Sequence, residues 1–274
     1  MNKTIPFNKI VASGNDFIVI DKRKPIATNG NLAHLAERMC SRKYGIGADG
    51  LLVMEKSKIA NIKMRIFNAD GSEAQMCGNG ARCTALWVKQ RLAVTSSRIK
   101  IETKAGLIEA EAKTANVKIK LTDPKNIKLD TPIKVNEKLL KINFVNTGVP
   151  HTIIFVEGLN EIDVDSLGRT IRYHEQFKPS GTNVNFVEII DNAFIKVRTY
   201  ERGVEGETLA CGTGAVASAL ITNYRLPITN FKFIRVLTRG GEVLKVYFDK
   251  VGDKFKEVWL EGKAKIIYEG RYYV

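Results

Sequence analysis

Two cysteines of this chain stand in the same local setting. Cys77 opens the run Cys77-Gly78-Asn79-Gly80-Ala81 and Cys211 opens Cys211-Gly212-Thr213-Gly214-Ala215; each Gly-x-Gly turn leads into a segment of helical character. The start of a helix leaves backbone amides without intrahelical partners and carries the positive end of the helix dipole, so such a turn attracts an anion such as a carboxylate. The same field favours a thiolate, and lowering a free thiol from about 8.5 by one or two units makes a usable base at neutral pH. A thiol and a thiolate on opposite faces of one carbon can invert it, one removing a proton while the other delivers one. With each sulfur about 3 to 3.5 Å from that carbon the pair stands roughly 7 Å apart, well beyond the roughly 2 Å of a disulfide. Cys40 and Cys83 lack this setting and read as buried structural thiols. The histidines His34, His151 and His174 are dispersed and no Cys-x2-Cys pair exists, so no metal site is expected.

The elements that position these cysteines come in two copies. At an offset of 133 to 134 residues, Gly14 corresponds to Gly148, Gly47 to Gly181, Arg65-Ile66-Phe67-Asn68 to Arg198-Thr199-Tyr200-Glu201, and the Cys77 turn to the Cys211 turn. Four landmarks in constant register argue for a duplicated domain. Period-2 runs such as Ile62-Lys63-Met64-Arg65-Ile66 and Glu242-Val243-Leu244-Lys245-Val246 read as strands and outnumber the helices, so each copy is sheet-rich. Helices are expected after each cysteine turn. The first carries an amphipathic stripe of Ala81, Ala85, Val88 and Leu92. The second, apolar all round from Ala215 to Ile221, sits deep in its domain until Pro227 stops it. A weaker helix covers residues 31–42, with Leu32, Leu35, Ala36 and Met39 on one face.

Composition bounds the alternatives. A chain of 274 residues, 44% hydrophobic and 26% charged, has room for two ordinary cores. No apolar run reaches the roughly 18 residues of a membrane span, and the start MNKTIPFNKI lacks a secretory apolar core, so a cytoplasmic protein with no membrane partner is expected. Four scattered cysteines suit a reducing compartment. The net charge of +14 invites a nucleic-acid reading. Its lysines, however, alternate with apolar residues, as in Val117-Lys118-Ile119-Lys120-Leu121 and Phe194-Ile195-Lys196-Val197, the pattern of strands with one wet face, so no nucleic-acid partner is expected.

The run from Phe67 to Cys83, Phe-Asn-Ala-Asp-Gly-Ser-Glu-Ala-Gln-Met-Cys-Gly-Asn-Gly-Ala-Arg-Cys, strongly resembles the signature of the diaminopimelate epimerase family. So do the run from Glu201 to Gly214, Ser13-Gly14-Asn15-Asp16-Phe17, Gly45-Ile46-Gly47-Ala48-Asp49, Pro150-His151, and Asn183 within Gly-Thr-Asn-Val-Asn-Phe, so the resemblance spans essentially the whole chain. It implies an α/β fold of the α+β kind: two pseudo-symmetric domains, each a curled, mainly antiparallel sheet around a central helix, with the active site in the interdomain cleft. The expected halves are residues 1–121, with 264–274 packing back onto them, and residues 122–263. The family interconverts LL-2,6-diaminopimelate and its meso form without pyridoxal phosphate or another cofactor, for lysine and cell-wall precursor synthesis; a homodimer is the expected assembly.

Carried over residue by residue, the resemblance makes Cys77 and Cys211 the two bases and gives the reacting carboxylate to the amides of Gly78, Asn79, Gly212 and Thr213. Asn15, Asn68, Asn183, Glu201 and Arg202 bind the substrate's amino and carboxylate groups, Arg202 by a bidentate fork at the distal end, while His151 and Glu201 adjust the thiol acidities. Arg82 reads as a structural or surface charge. Val149 replaces the family's usual Asn before Pro150-His151, so one substrate contact is lost or is supplied by another group such as Asn146 or Thr147, and Gly50 replaces the usual Gln. The nearest rival is a proline-racemase-like enzyme for another amino acid, which typically carries His where this chain has Asn79. A thiol-disulfide oxidoreductase is disfavoured by the absence of Cys-x-x-Cys.

Overall fold

In the computed structural model of the chain, the described residues are 4–28, 30–92, 94–226 and 231–274. They fall into two compact units, residues 1–119 with 262–274, and residues 120–261.

The first unit contains β1 (Thr4–Ala12), β2 (Asn15–Asp21), α1 (Leu32–Cys40), β3 (Gly50–Glu55), β4 (Ile62–Asn68), the short β5 (Glu73–Ala74), α2 (Gly78–Arg91), β6 (Arg98–Thr103), β7 (Gly106–Lys113) and β8 (Asn116–Lys120). The second runs through β9 (Lys125–Val135), β10 (Lys138–Asn146), β11 (Pro150–Phe155), α3 (Val164–Arg172), β12 (Asn183–Asp191), β13 (Phe194–Glu201), β14 (Gly206–Thr208), α4 (Gly212–Arg225), β15 (Ile234–Thr238), β16 (Val243–Val251) and β17 (Lys254–Lys263). The last strand, β18 (Lys265–Tyr273), returns to pair antiparallel with β1 of the first unit.

Both units follow one strand plan. In the first the order is β18-β1-β2-β3-β4-β6-β7-β8, with parallel steps only at β2–β3 and β4–β6 and with β5 on β4. In the second it is β9-β10-β11-β12-β13-β15-β16-β17, parallel only at β11–β12 and β13–β15, with β14 on β13. Each parallel step needs a crossover, and the helices lie in those crossovers: α1 and α3 in the first of each unit, α2 and α4 in the second. The repeat extends to the register, since Phe17 pairs with Gly50 and, 134 and 133 residues on, His151 pairs with Asn183.

Helix α2 touches β1, β2, β4, β6, β7 and β18, and α4 touches β10, β11, β12, β13, β15 and β16. One helix reaches six strands only if its sheet curls around it. That wrapping corrects the expected stripe on the first post-cysteine helix: Asn79 through Val88 are all buried, and α2 is enclosed on every side much as α4 is from Gly214 to Asn223. Arg82 is correspondingly internal and not a surface charge. The opposite sheet faces are covered by α1, over Ile18, Ile20, Leu51 and Val53, and by α3, over Ile154, Val184, Phe186 and Tyr200.

Helix α1 is shorter than the expected 31–42: Asn31 caps it through His34 N–H, and it ends at Cys40. Helix α4 ends at Arg225; Pro227, expected to stop it, lies outside the described residues. The lysine alternation is as expected, with Val117, Ile119 and Leu121 buried between half-covered Lys118 and Lys120. No helix among the described residues is long and apolar enough to cross a membrane.

Candidate active site

Cys77 is the N-cap of α2, in an extended conformation, and its sulfur accepts the Gly80 amide at 3.4 Å. The first intrahelical bond runs from Ala81 N–H to the Cys77 carbonyl, so the Gly78 and Asn79 amides precede the helical ladder at the positive end of the dipole. Cys211 repeats this at α4, with Ala215 N–H bonded to the Cys211 carbonyl and the amides of Gly212 and Thr213 ahead of it.

In the first unit a polar chain locks the cysteine turn in place. Arg82 Nη2 donates to Asn79 Oδ1 at 2.6 Å and to Ser13 Oγ; Asn79 Nδ2 donates to Asn15 Oδ1 at 2.6 Å; Asn15 Nδ2 donates to Asp49 Oδ2 at 3.0 Å. A guanidinium only donates and a carboxylate only accepts, so the ends of this chain dictate the orientation of both amides. Behind it, Asp16 and Asp49 bind Arg42 at 2.9 and 2.7 Å, and Asp16 binds the buried Lys9 at 2.7 Å. Burial raises the Asp16 carboxyl, yet the hydrogen bonds and charges of Arg42 and Lys9 prevail and hold it at about 2. Asn68 is exposed at the end of β4, its amide donating to Ser72 Oγ at 2.9 Å. Gly50 begins β3, where a Cβ would meet the Phe67 carbonyl at 2.8 Å.

In the second unit Asn183 is a clip: its amide nitrogen donates to the Pro150 carbonyl at 3.0 Å, and its oxygen accepts the Arg202 amide at 2.9 Å. Arg202 is half-buried, and its guanidinium donates to the Ser180 carbonyl at 3.2 Å. Glu201 closes β13 and accepts from the Thr208 hydroxyl at 2.6 Å and from the Cys211 thiol. Burial lifts Glu201 above the ordinary carboxylate range against those two hydrogen bonds. His151 is fully buried, its Nε2 lying 3.0 Å from Thr213 Oγ1, which in turn is 3.6 Å from Cys211 Sγ. Burial, with the positive charge of Arg202, lowers its imidazole to about 3, so the ring is neutral.

The acidity of Cys211 differs from the expectation drawn from its helix start. Burial and the neighbouring Glu201 carboxylate push its thiol up to about 12, against the opposing pull of the Thr213 hydroxyl and the Gly214 amide. Desolvation is the largest cause, and Cys211 is protonated at neutral pH. Cys40 is pushed up to about 12, and Cys83 also upward, by burial in their cores, in keeping with structural thiols.

Two groups escape a reading of the sequence. Asn185 lies on the same strand face as Asn183 and bonds to the ring of His151. Its only sequence signal is the i, i+2 pair of asparagines in an otherwise apolar strand. The Lys9–Asp16–Arg42–Asp49 cluster has a weaker signal, Asp16 and Asp49 lying within motif segments without an assigned role.

Comparison with known proteins places this arrangement. The family described as Diaminopimelate epimerase matches residues 7–127 and 143–267. A diaminopimelate epimerase of Aquifex aeolicus is 42% identical over 280 residues, covering 97% of this chain and 96% of that protein. One from Caldanaerobacter subterraneus subsp. tengcongensis is 45% identical over 281 residues, covering 96% of this chain and 98% of that protein. In fold, the chain is similar to a phenazine biosynthesis protein of the PhzF family from Bacillus anthracis, at TM-score 0.74 and 18% identity over 99% of this chain and 100% of that one. It is also similar to a hydroxyproline epimerase from Agrobacterium vitis, at TM-score 0.70 and 14% identity over 100% and 94% of the two chains. Family match and full-length identity together make this chain a member of the diaminopimelate epimerase family of isomerases.

Proposed function

We propose that the protein interconverts LL-2,6-diaminopimelate and meso-2,6-diaminopimelate by cofactor-independent proton transfer at Cα, with Cys77 and Cys211 as the acid/base pair. The observation that carries this is the repeated cysteine N-cap: two units of one strand plan each place a sulfur at the positive end of an enclosed helix, beside amides that suit a carboxylate. Gly78, Asn79, Gly212 and Thr213 hold the reacting carboxylate; Asn15, Asn68, Asn183 and Glu201 bind the substrate's polar groups; Arg202 reads the distal carboxylate. Val149 has no side-chain hydrogen-bonding group, so a neighbour must meet the substrate in place of the family's usual Asn. Thr147 uses its hydroxyl proton on the Thr213 carbonyl, which leaves that role to Asn146 and its amide protons. Cys211, protonated at neutral pH, starts as the acid of the pair. The product serves lysine and peptidoglycan precursor synthesis, and the working enzyme is a cytoplasmic homodimer.

The test is Cα exchange. In deuterium oxide, LL- or meso-diaminopimelate should take up deuterium at Cα and converge on one mixture of isomers, whereas proline and other monocarboxylic amino acids should not. Cys77→Ala and Cys211→Ala should each lose more than about tenfold in rate, the equivalent of about 1.4 kcal/mol. Equal turnover of monocarboxylic amino acids would transfer the assignment to a racemase of another amino acid with the same two thiols, and an active cysteine variant would end the two-base reading.

A further inference from the structure

Asn185 has every hydrogen-bonding atom occupied, and its orientation follows from its partners. The atom 3.1 Å from the Thr152 carbonyl must be the amide nitrogen, because a carbonyl only accepts; the Thr199 hydroxyl then donates to Oδ1 at 3.0 Å. The second amide proton points at Nδ1 of His151, 3.1 Å away. A nitrogen that accepts from an amide carries no proton, so a neutral ring has its single proton on Nε2 and donates it to Thr213 Oγ1 at 3.0 Å. The threonine oxygen is thereby an acceptor toward the ring, and its own proton is left for Cys211 Sγ at 3.6 Å.

We propose that Asn185 is a positioning residue for the reaction: it fixes His151 as the Nε2–H tautomer and so turns the Thr213 hydroxyl proton toward the sulfur of Cys211. The inference rests on the reading of Cys211 as one of the two acid/base thiols. Asn185, His151, Thr152 and Thr199 are all buried, so no bulk water competes for these bonds. The charged group acting on the ring is Arg202, which opposes a second ring proton. With the ring in the other tautomer, Nε2 would accept the Thr213 proton and the sulfur would lose a donor that favours its thiolate.

The experiment is ring nitrogen NMR on the full protein labelled with 15N-histidine, with His34→Gln and His174→Gln used to assign the three rings. The expected spectrum shows His151 protonated on Nε2 and bare on Nδ1, unchanged across the range in which an ordinary histidine titrates. A proton on Nδ1, or a titrating ring, overturns the proposal. Asn185→Asp supplies the second arm, because a carboxylate only accepts and must move a proton onto Nδ1. That variant is expected to show the changed ring and a kcat lower by about ten- to a hundredfold, the range typical of orienting partners, with KM changed less than about threefold. An unchanged kcat beside a changed ring overturns the link to Cys211. Because the ring is observed without substrate, a failure of the two-thiol reading in the exchange assay leaves the spectrum to decide the tautomer by itself.

Discussion

The thiol of Cys211 donates to the carboxylate of Glu201, and the two act on each other in opposite directions: the carboxylate raises the proton affinity of the sulfur, while the hydrogen bond from the thiol lowers that of the carboxylate. Cys211 is pushed up by burial and by the negative charge beside it, while Glu201 is lifted by burial. The pair therefore rests with its proton on sulfur, as it would in water, where the ordinary values already differ by about four units.

Replacing that charge should therefore release the thiol. In Glu201→Gln the Coulombic part of the shift disappears, and Cys211 should be alkylated faster by iodoacetamide at fixed pH, as read by peptide mass mapping. In the wild type the Cys211 alkylation rate should still be rising above pH 9, toward the titration at about 12. A slower reaction in the variant would show that the carboxylate does not hold the proton on sulfur.

His151 predicts a term in acid stability. Its folded value of about 3 lies below its ordinary 6.5, so the fold favours the neutral ring. The contribution is fully present above pH 6.5 and is lost as pH falls toward 3, where the unfolded chain binds the proton and the folded chain does not. Within that window the slope approaches about 1.4 kcal/mol per pH unit. Denaturant unfolding of wild type and His151→Gln across it should give a difference that narrows toward acid pH; a constant difference would mean the ring is protonated or exposed in the fold.

Gly214 offers a steric prediction. A methyl there would overlap Asn185 Oδ1 and lie 3.2 Å from both Cβ and Sγ of Cys211. Asn185 cannot retreat without breaking bonds to Thr199, Thr152 and His151, so Gly214→Ala should cost about 1 to 3 kcal/mol and most of the activity. At the equivalent Gly80 the new methyl meets only the tip of the Leu52 side chain at 3.2 Å, with Cys77 Cβ and Ile66 Cδ1 in ordinary contact at 3.5 Å. Gly80→Ala should therefore unfold at a higher temperature than Gly214→Ala.

Arg82 anchors the first cysteine turn through Asn79 and, beyond it, Asn15. Arg82→Met keeps much of the volume but removes the donor that orients both amides. The expected loss is about 2 to 4 kcal/mol, the scale for breaking a buried polar network. Thermal unfolding measures it, and KM should rise more than kcat falls if Asn15 and Asn79 serve binding.

The duplication is legible in the sequence because its landmarks are local: a glycine before a strand or a cysteine before a Gly-x-Gly turn keeps its register wherever the chain goes next. The cysteines are legible for the same reason. What escapes depends on distance in sequence. His151 meets Asn185 only through the parallel register of β11 on β12, 34 residues apart, and Thr213 lies 62 residues from His151. The acidity of Cys211 departs from expectation because the helix start can be read from the turn, whereas its burial and the carboxylate ten residues earlier become decisive only after folding. For Arg82 the sequence leaves a structural and a surface charge both open, because neither its partner Ser13 nor the wrapping of α2 by six strands is visible in that segment.

The return of β18 to β1 sets an order of events during synthesis. Residues 120–261 form one unbroken unit, whereas the first unit includes residues 262–274. On a ribosome releasing about 5 to 20 residues per second, β1 is among the first strands to emerge and waits for the partner it acquires last. Until then its outer edge presents unpaired amides and carbonyls, the kind of edge that recruits foreign strands. Pro6 on β1 has no amide to offer such an intruder, so the nascent half carries a deterrent in the strand that stays open longest.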